Sequence, residues 1–112
     1  MQAKAQLCVT DMRRATRCPV DYATTGDHLG RGEIEMHLCN ISTHGFMLDR
    51  VAGLARGDRV VVRLPVIGRL EGCCAWTIDE RAGFQFERIL RPDDFAAMLL
   101  AMQPNKRLRR RA

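Results

Sequence analysis

The sequence predicts a mainly β domain: a six-stranded antiparallel β-barrel with a C-terminal α-helix. Three observations lead there. Short alternating or Val-rich segments are separated by tight Gly- and Asp-containing turns, nine glycines punctuate the chain, and only the final patterned segment has apolar residues at helical spacing. Several short strands with regular turn signals mark a sandwich or barrel rather than an α/β fold. At 112 residues the chain has room for one core and no second domain.

Residues 1 to about 16 carry little pattern and read as an extended arm. Arg17 to Thr24, RCPVDYAT, reads as the first strand, with Pro19 marking an edge or a strand start. Thr25 to Gly30 supplies polar and glycine residues for a loop. Gly32 to Cys39 then alternates cleanly: Ile34, Met36 and Leu38 share one face, and Glu33, Glu35 and His37 the other. Asn40 to Gly45 interrupts that alternation before Phe46 to Asp49 resumes as a third strand. Arg59 to Leu64 makes a fourth, ending at Pro65, and Arg69 to Ile78 a long fifth. Phe84 to Glu87 is the sixth. In Arg91 to Met102 a proline and two acids precede strong helix formers, which suits the first turn of a helix and its dipole. Phe95, Met98, Leu99 and Met102 fall on one face of it, an apolar stripe to lay on the sheet.

Charge is unevenly placed. The last eight residues, NKRLRRRA, hold five of the 18 basic residues; without those five the count is 13 Lys+Arg against 13 Asp+Glu. The body is therefore neutral, and the tail reads as a basic, disordered end rather than a nucleic-acid site. The scarcity of aromatics, with no closely spaced pair to stack bases, also argues against nucleic acid. Five cysteines at 8, 18, 39, 73 and 74 show no C-x-x-C spacing, and adjacent Cys73 and Cys74 would point to opposite faces of a strand. They read as small, reduced side chains and not as a metal site. The longest apolar run, Phe95 to Met102, is too short to span a bilayer, and the N-terminus lacks the pattern of a signal peptide. The expectation is a cytoplasmic protein without membrane insertion. No nucleophile elbow, phosphate-binding loop or metal-spaced histidine set appears among the motifs, so an enzyme is not expected.

Two short stretches carry chemistry. Arg13, Arg14 and Arg17 place three guanidinium groups within five residues. Arginine presents a rigid fork of donors that grips phosphate or a guanine edge bidentately and also stacks on flat rings. Alone, the run is equally a solvated basic arm. In Asn40-Ile41-Ser42-Thr43-His44-Gly45, Asn40 offers a donor and an acceptor, Ser42 a hydroxyl for a phosphate oxygen, and Gly45 a positive φ or a close ligand approach. Alone, it is equally an Asx or Ser turn between strands.

Taken together, Arg13-x-x-x-Arg17 and Asn40-x-Ser42-x-x-Gly45 resemble the paired signature of the PilZ domain family, whose members bind the bacterial second messenger cyclic di-GMP. Gly57-Asp58-x-Val-Val-Val-x-Leu, the Trp76 strand and Gly83-Phe84-Gln85-Phe86 agree as later landmarks, and the resemblance covers about residues 12 to 90. It implies a six-stranded barrel with a C-terminal helix over residues 12–103, between a flexible arm at 1–11 and the basic tail at 104–112. It also implies a receptor or adaptor that changes conformation or partner surface on binding the messenger. Carried over, Arg13 and Arg17 clamp phosphates and guanine edges, Asn40 and Ser42 contact guanine or phosphate from the barrel, Gly45 shapes the turn, and Arg14 is a further candidate contact. His44 occupies a variable position and is expected to be exposed rather than functional. The resemblance implies cyclic di-GMP as ligand, no cofactor, and a downstream protein partner that the sequence does not identify. A PilZ-like interaction module that no longer binds nucleotide is the alternative, and a small-barrel nucleic-acid binder the weaker one.

Overall fold

A computed structural model of the protein describes residues 9–11 and 14–102, with side chains from residue 17 onward. Seven strands and one helix follow in order: β1 (Val9–Asp11), β2 (Arg14–His28), β3 (Gly32–Ile41), β4 (Gly45–Asp49), β5 (Arg59–Leu64), β6 (Gly68–Ile78), β7 (Arg81–Phe86) and α1 (Pro92–Met102). All pairings are antiparallel. The strand order β1-β2-β3-β4-β7-β6-β5 closes through a second pairing of β2 with β5. Six strands, β2 to β7, thus form a closed antiparallel barrel. Short β1 adds to the outside of β2.

Closure depends on the length of β2. Cys18 to His28 lies against β3 from Ile41 to Gly32, and the last three residues, Gly26 to His28, also pair with Val62 to Val60 of β5. A strand shared between two neighbours in this way leaves the barrel no free edge at the seam. Thr25 to His28, expected as a loop, is therefore strand, because pairing with β3 throughout and with β5 from Gly26 onward overrides its polar, glycine-containing composition. The turn is confined to Leu29, Gly30 and Arg31. Arg14 to Thr16, expected as the end of the arm, likewise belong to β2, which takes in Arg17 as expected.

The interior is filled by inward residues of β3 to β7, among them Leu38, Ile41, Leu48, Val60, Val62 and Leu70, with Leu90 from the connection to the helix. Phe46 stacks on Phe84 at 4.9 Å between ring centroids, and Phe86 lies 5.4 Å away. The helix contributes its expected stripe: Met98 and Met102 are buried, and Phe95 and Leu99 pack partly buried against the same cluster. Cys74 is buried and Cys73 exposed, as alternation requires. The expectation for the cysteines is corrected at one position. Cys18 is buried and disulfide-bonded rather than a free thiol, whereas Cys39, Cys73 and Cys74 are free. Pairing depends on which cysteines the fold brings together, and count and spacing do not encode that. None of the described helices is long and apolar enough to cross a membrane.

Candidate functional site

Three irregularities re-aim side chains on one outer face of the barrel. Pairing slips between Pro19 and Tyr22 in β2, between Leu38 and Asn40 in β3, and between Cys74 and Trp76 in β6. A bulge inserts an extra residue and turns the side chains beyond it to the other face, and such bulges recur beside functional sites. Here the slip in β3 sets Asn40 opposite Met47 of β4 and Pro19 of β2, and the slip in β6 sets Trp76 opposite Gly83 of β7.

The result is a pocket of about 340 Å³ across β2, β3, β4, β7 and β6. Arg17, Asn40, Ser42, His44 and Gly45 line it together with Met47, Gly83 and Gln85, and Trp76 lines it from β6. That volume lies within the range of roughly 300–1,000 Å³ usual for small-molecule sites. Arg17 is exposed and reaches the pocket from β2, bringing a fixed positive charge. Asn40 is half-buried and keeps an amide at the same pocket. The two sequence motifs, some twenty residues apart, thus meet at one cavity.

Ser42 plays a different part from a freely projecting donor. It is buried, and its Oγ accepts the amide N–H of His44 at 3.1 Å and of Gly45 at 3.2 Å. The Ser42 amide in turn donates to the Gly45 carbonyl at 2.8 Å, so the β3–β4 turn is closed from both sides. With both acceptor contacts made, the hydroxyl hydrogen remains available to an acceptor in the pocket. Gly45 is required by space rather than by a positive φ. A Cβ there would overlap the Phe84 carbonyl oxygen of β7, so only glycine lets the two strands approach.

Of the remaining sequence candidates, Arg14 lies in β2 with Asp11 of β1 opposite, and its side chain is outside the described part. Arg13 and the C-terminal tail are outside the described residues altogether. His44 is exposed, as expected, yet it lines the pocket, with its Nδ1 3.2 Å from the Thr43 hydroxyl. In the sequence Trp76 and Gln85 stand only as landmarks of their strands, and Met47 only as a strand residue. A lone tryptophan at an outward position was the available signal, but the bulge beside it hides that position from a simple alternation count.

Comparison with known proteins bears on the same residues. The PilZ domain family model matches residues 11–101. No curated protein matches the chain. Among solved structures, that of the Bacillus subtilis inhibitor of motility (MotI/DgrA) superposes with a TM-score of 0.56 at 19% identity, covering 91% of this chain and 52% of that one. The chain therefore spans about half the length of that neighbour, and at this identity the likeness is one of fold. The family match runs through β2 to β7 and nearly all of α1, taking in Arg17, Asn40, Ser42 and Gly45. By that match and by its closed six-stranded barrel with one C-terminal helix, the chain belongs to the PilZ domain family.

Proposed function

We propose that the pocket binds cyclic di-GMP and that the protein acts as a receptor or adaptor, coupling that binding to a change in the surface it offers a protein partner. The observation that carries the reading is the convergence of Arg17 with Asn40, Ser42 and Gly45, from two separate motifs, around one cavity. The chemistry suits the ligand. Its two phosphodiesters need cationic, multi-donor partners, and each guanine offers an O6/N7 acceptor pair to a guanidinium fork. Arg17 supplies one such fork, and Arg13 and Arg14 would supply others from the same segment. The Asn40 amide matches a base edge or a phosphate oxygen, and the face of Trp76 offers a surface on which a purine can stack.

The outcome controlled is proposed at the same level. A neighbour described as an inhibitor of motility makes control of motility one candidate process, alongside exopolysaccharide production, through a partner still to be found. Isothermal titration with cyclic di-GMP tests the binding step. Micromolar or tighter affinity is expected, and Arg17→Ala or Arg13→Ala should weaken it at least about tenfold, roughly 1.4 kcal/mol. A wild-type protein that gives no heat and no shift in melting temperature at saturating ligand would refute the reading and favour an interaction module that has lost nucleotide binding.

A further inference from the structure

Next to the pocket, three strands bring one imidazole and two carboxylates together. His37 of β3 places Nε2 2.6 Å from Asp21 Oδ1 of β2, and Nδ1 2.5 Å from Asp49 Oδ1 of β4. A neutral imidazole carries a single N–H and can donate to one carboxylate only, its other nitrogen then turning a lone pair toward the second. With both carboxylates ionised, the two contacts together require the imidazolium. The histidine pKa is accordingly raised, chiefly by the hydrogen bond to Asp21 and next by that to Asp49, against partial desolvation and the positive charge of Arg50.

The location gives this bridge its interest. Asp21 sits in the β2 irregularity between Pro19 and Tyr22, and Pro19 pairs with Asn40. Arg17 is four residues before Asp21 on the same strand. On β3, Asn40 is the next outward pairing residue beyond His37, across the bulge, and on β4 Asp49 follows Met47 of the pocket by one alternation. The bridge therefore ties β2, β3 and β4 together where Arg17 and Asn40 must hold their spacing.

We infer that His37, in its protonated form, is a positioning residue for the ligand site, so that cyclic di-GMP binding is tightest at mildly acidic pH and weakens as the bridge loses its proton. This rests on the ligand reading above. On deprotonation one carboxylate faces a lone pair, the hold on the β2 irregularity slackens, and the patch beside a dianionic ligand becomes more negative by one charge. The charged and titratable groups around the ring are Asp21 from β2, Asp49 and Arg50 from β4 and its end, and Glu35 and Cys39 along β3 itself. The Cys39 thiol is pushed up by burial and then by Asp49, opposed by Arg81 of β7, so it stays uncharged over the relevant range.

Calorimetric titration of the full chain with cyclic di-GMP at about pH 5.5 and about pH 8 tests this, using wild type, His37→Gln and Asp49→Asn. Wild-type affinity should fall at least about threefold between the two. Glutamine retains a donor and an acceptor but cannot carry the proton, so His37→Gln should bind more weakly than wild type at the acidic value and show a flatter slope. Asp49→Asn should flatten the slope as a second, independent variant. A folded, merely structural bridge would shift melting temperature without moving the pH slope of the dissociation constant. Equal slopes in wild type and His37→Gln, or a pH-independent wild type, would overturn the inference while leaving the ligand reading intact. No binding by wild type at either pH would instead overturn the ligand reading and this inference with it.

Discussion

Trp76 occupies the space that a side chain on Gly83 would need: a Cβ at Gly83 would overlap the indole Nε1 and crowd Cε2 and Cζ2. Glycine on β7 thus lets the indole lie against the backbone of the pocket, leaving the ring partly exposed at 37%. Because the chain has a single tryptophan, its emission reports this position alone. Cyclic di-GMP is expected to quench or shift that emission with the affinity measured by calorimetry. Gly83→Ala should displace the indole, change the emission of the free protein and weaken binding. Unchanged Trp76 emission at saturating ligand would show that the indole takes no part.

Arg17 tests whether the site needs a fork or only a charge. Lysine keeps the charge but presents a compact point donor, which cannot reproduce a bidentate grip on phosphate or on O6/N7. Arg17→Lys is therefore expected to lose at least about tenfold in affinity, near the loss for Arg17→Ala. Recovery of wild-type affinity in the lysine variant, measured in the same titration, would mean that the contact is electrostatic only.

The sequence already contained most of the barrel, and the places it concealed have a common cause. Alternation identified Met36 and Leu38 as inward and His37 as outward, and helical spacing identified Met98 and Met102. The same count, continued, would place Asn40 with Leu38 and Trp76 with Cys74, facing inward. The bulges after Leu38 and Cys74 reverse both. Asn40 was recovered through its motif, whereas Trp76 had no motif to rescue it. The end of β2 was concealed for another reason: Gly26, Asp27 and His28 have loop composition, and only their pairing with both β3 and β5 makes them strand. His37 was placed on the right face, but its two carboxylate partners come from strands sixteen residues before and twelve residues after it, which no local pattern reveals.

Gly45 links the motif to the fold. Since a methyl group there meets the Phe84 carbonyl oxygen, Gly45→Ala must push β4 away from β7, where Gly45 and Gln85 pair. Overpacking of this kind costs about 1–3 kcal/mol. Chemical denaturation should show that loss, and calorimetry a parallel loss of cyclic di-GMP binding, because the same turn carries Ser42. A variant of full stability that no longer binds would show that the glycine serves the ligand rather than the strand contact.

The helix is expected to be an integral part of the core. Met98 is fully buried, whereas Leu100, two residues on, is 77% exposed. Met98→Ala should cost about 2–5 kcal/mol in urea denaturation. Leu100→Ala should stay within about 0.5 kcal/mol of wild type. Equal, small effects at both positions would mean that α1 is only loosely docked on the barrel.

Acid stability should depend on Asp58. Its Oδ2 accepts from His28 Nε2 at 3.0 Å and from the Ala55 amide at 3.0 Å, joining the end of β2 to the loop before β5. These two hydrogen bonds, that of His28 first, hold the carboxyl below its ordinary value of 3.8. A depressed folded-state pKa contributes stability that is present above the unfolded value and is lost as pH falls through the folded one. Asp58→Asn should therefore melt lower than wild type near neutral pH, with the gap closing once the pH drops below about 3.8. Melting curves across that range decide it: a gap that is constant with pH would mean that the side chain contributes its shape and hydrogen bonds but not its charge.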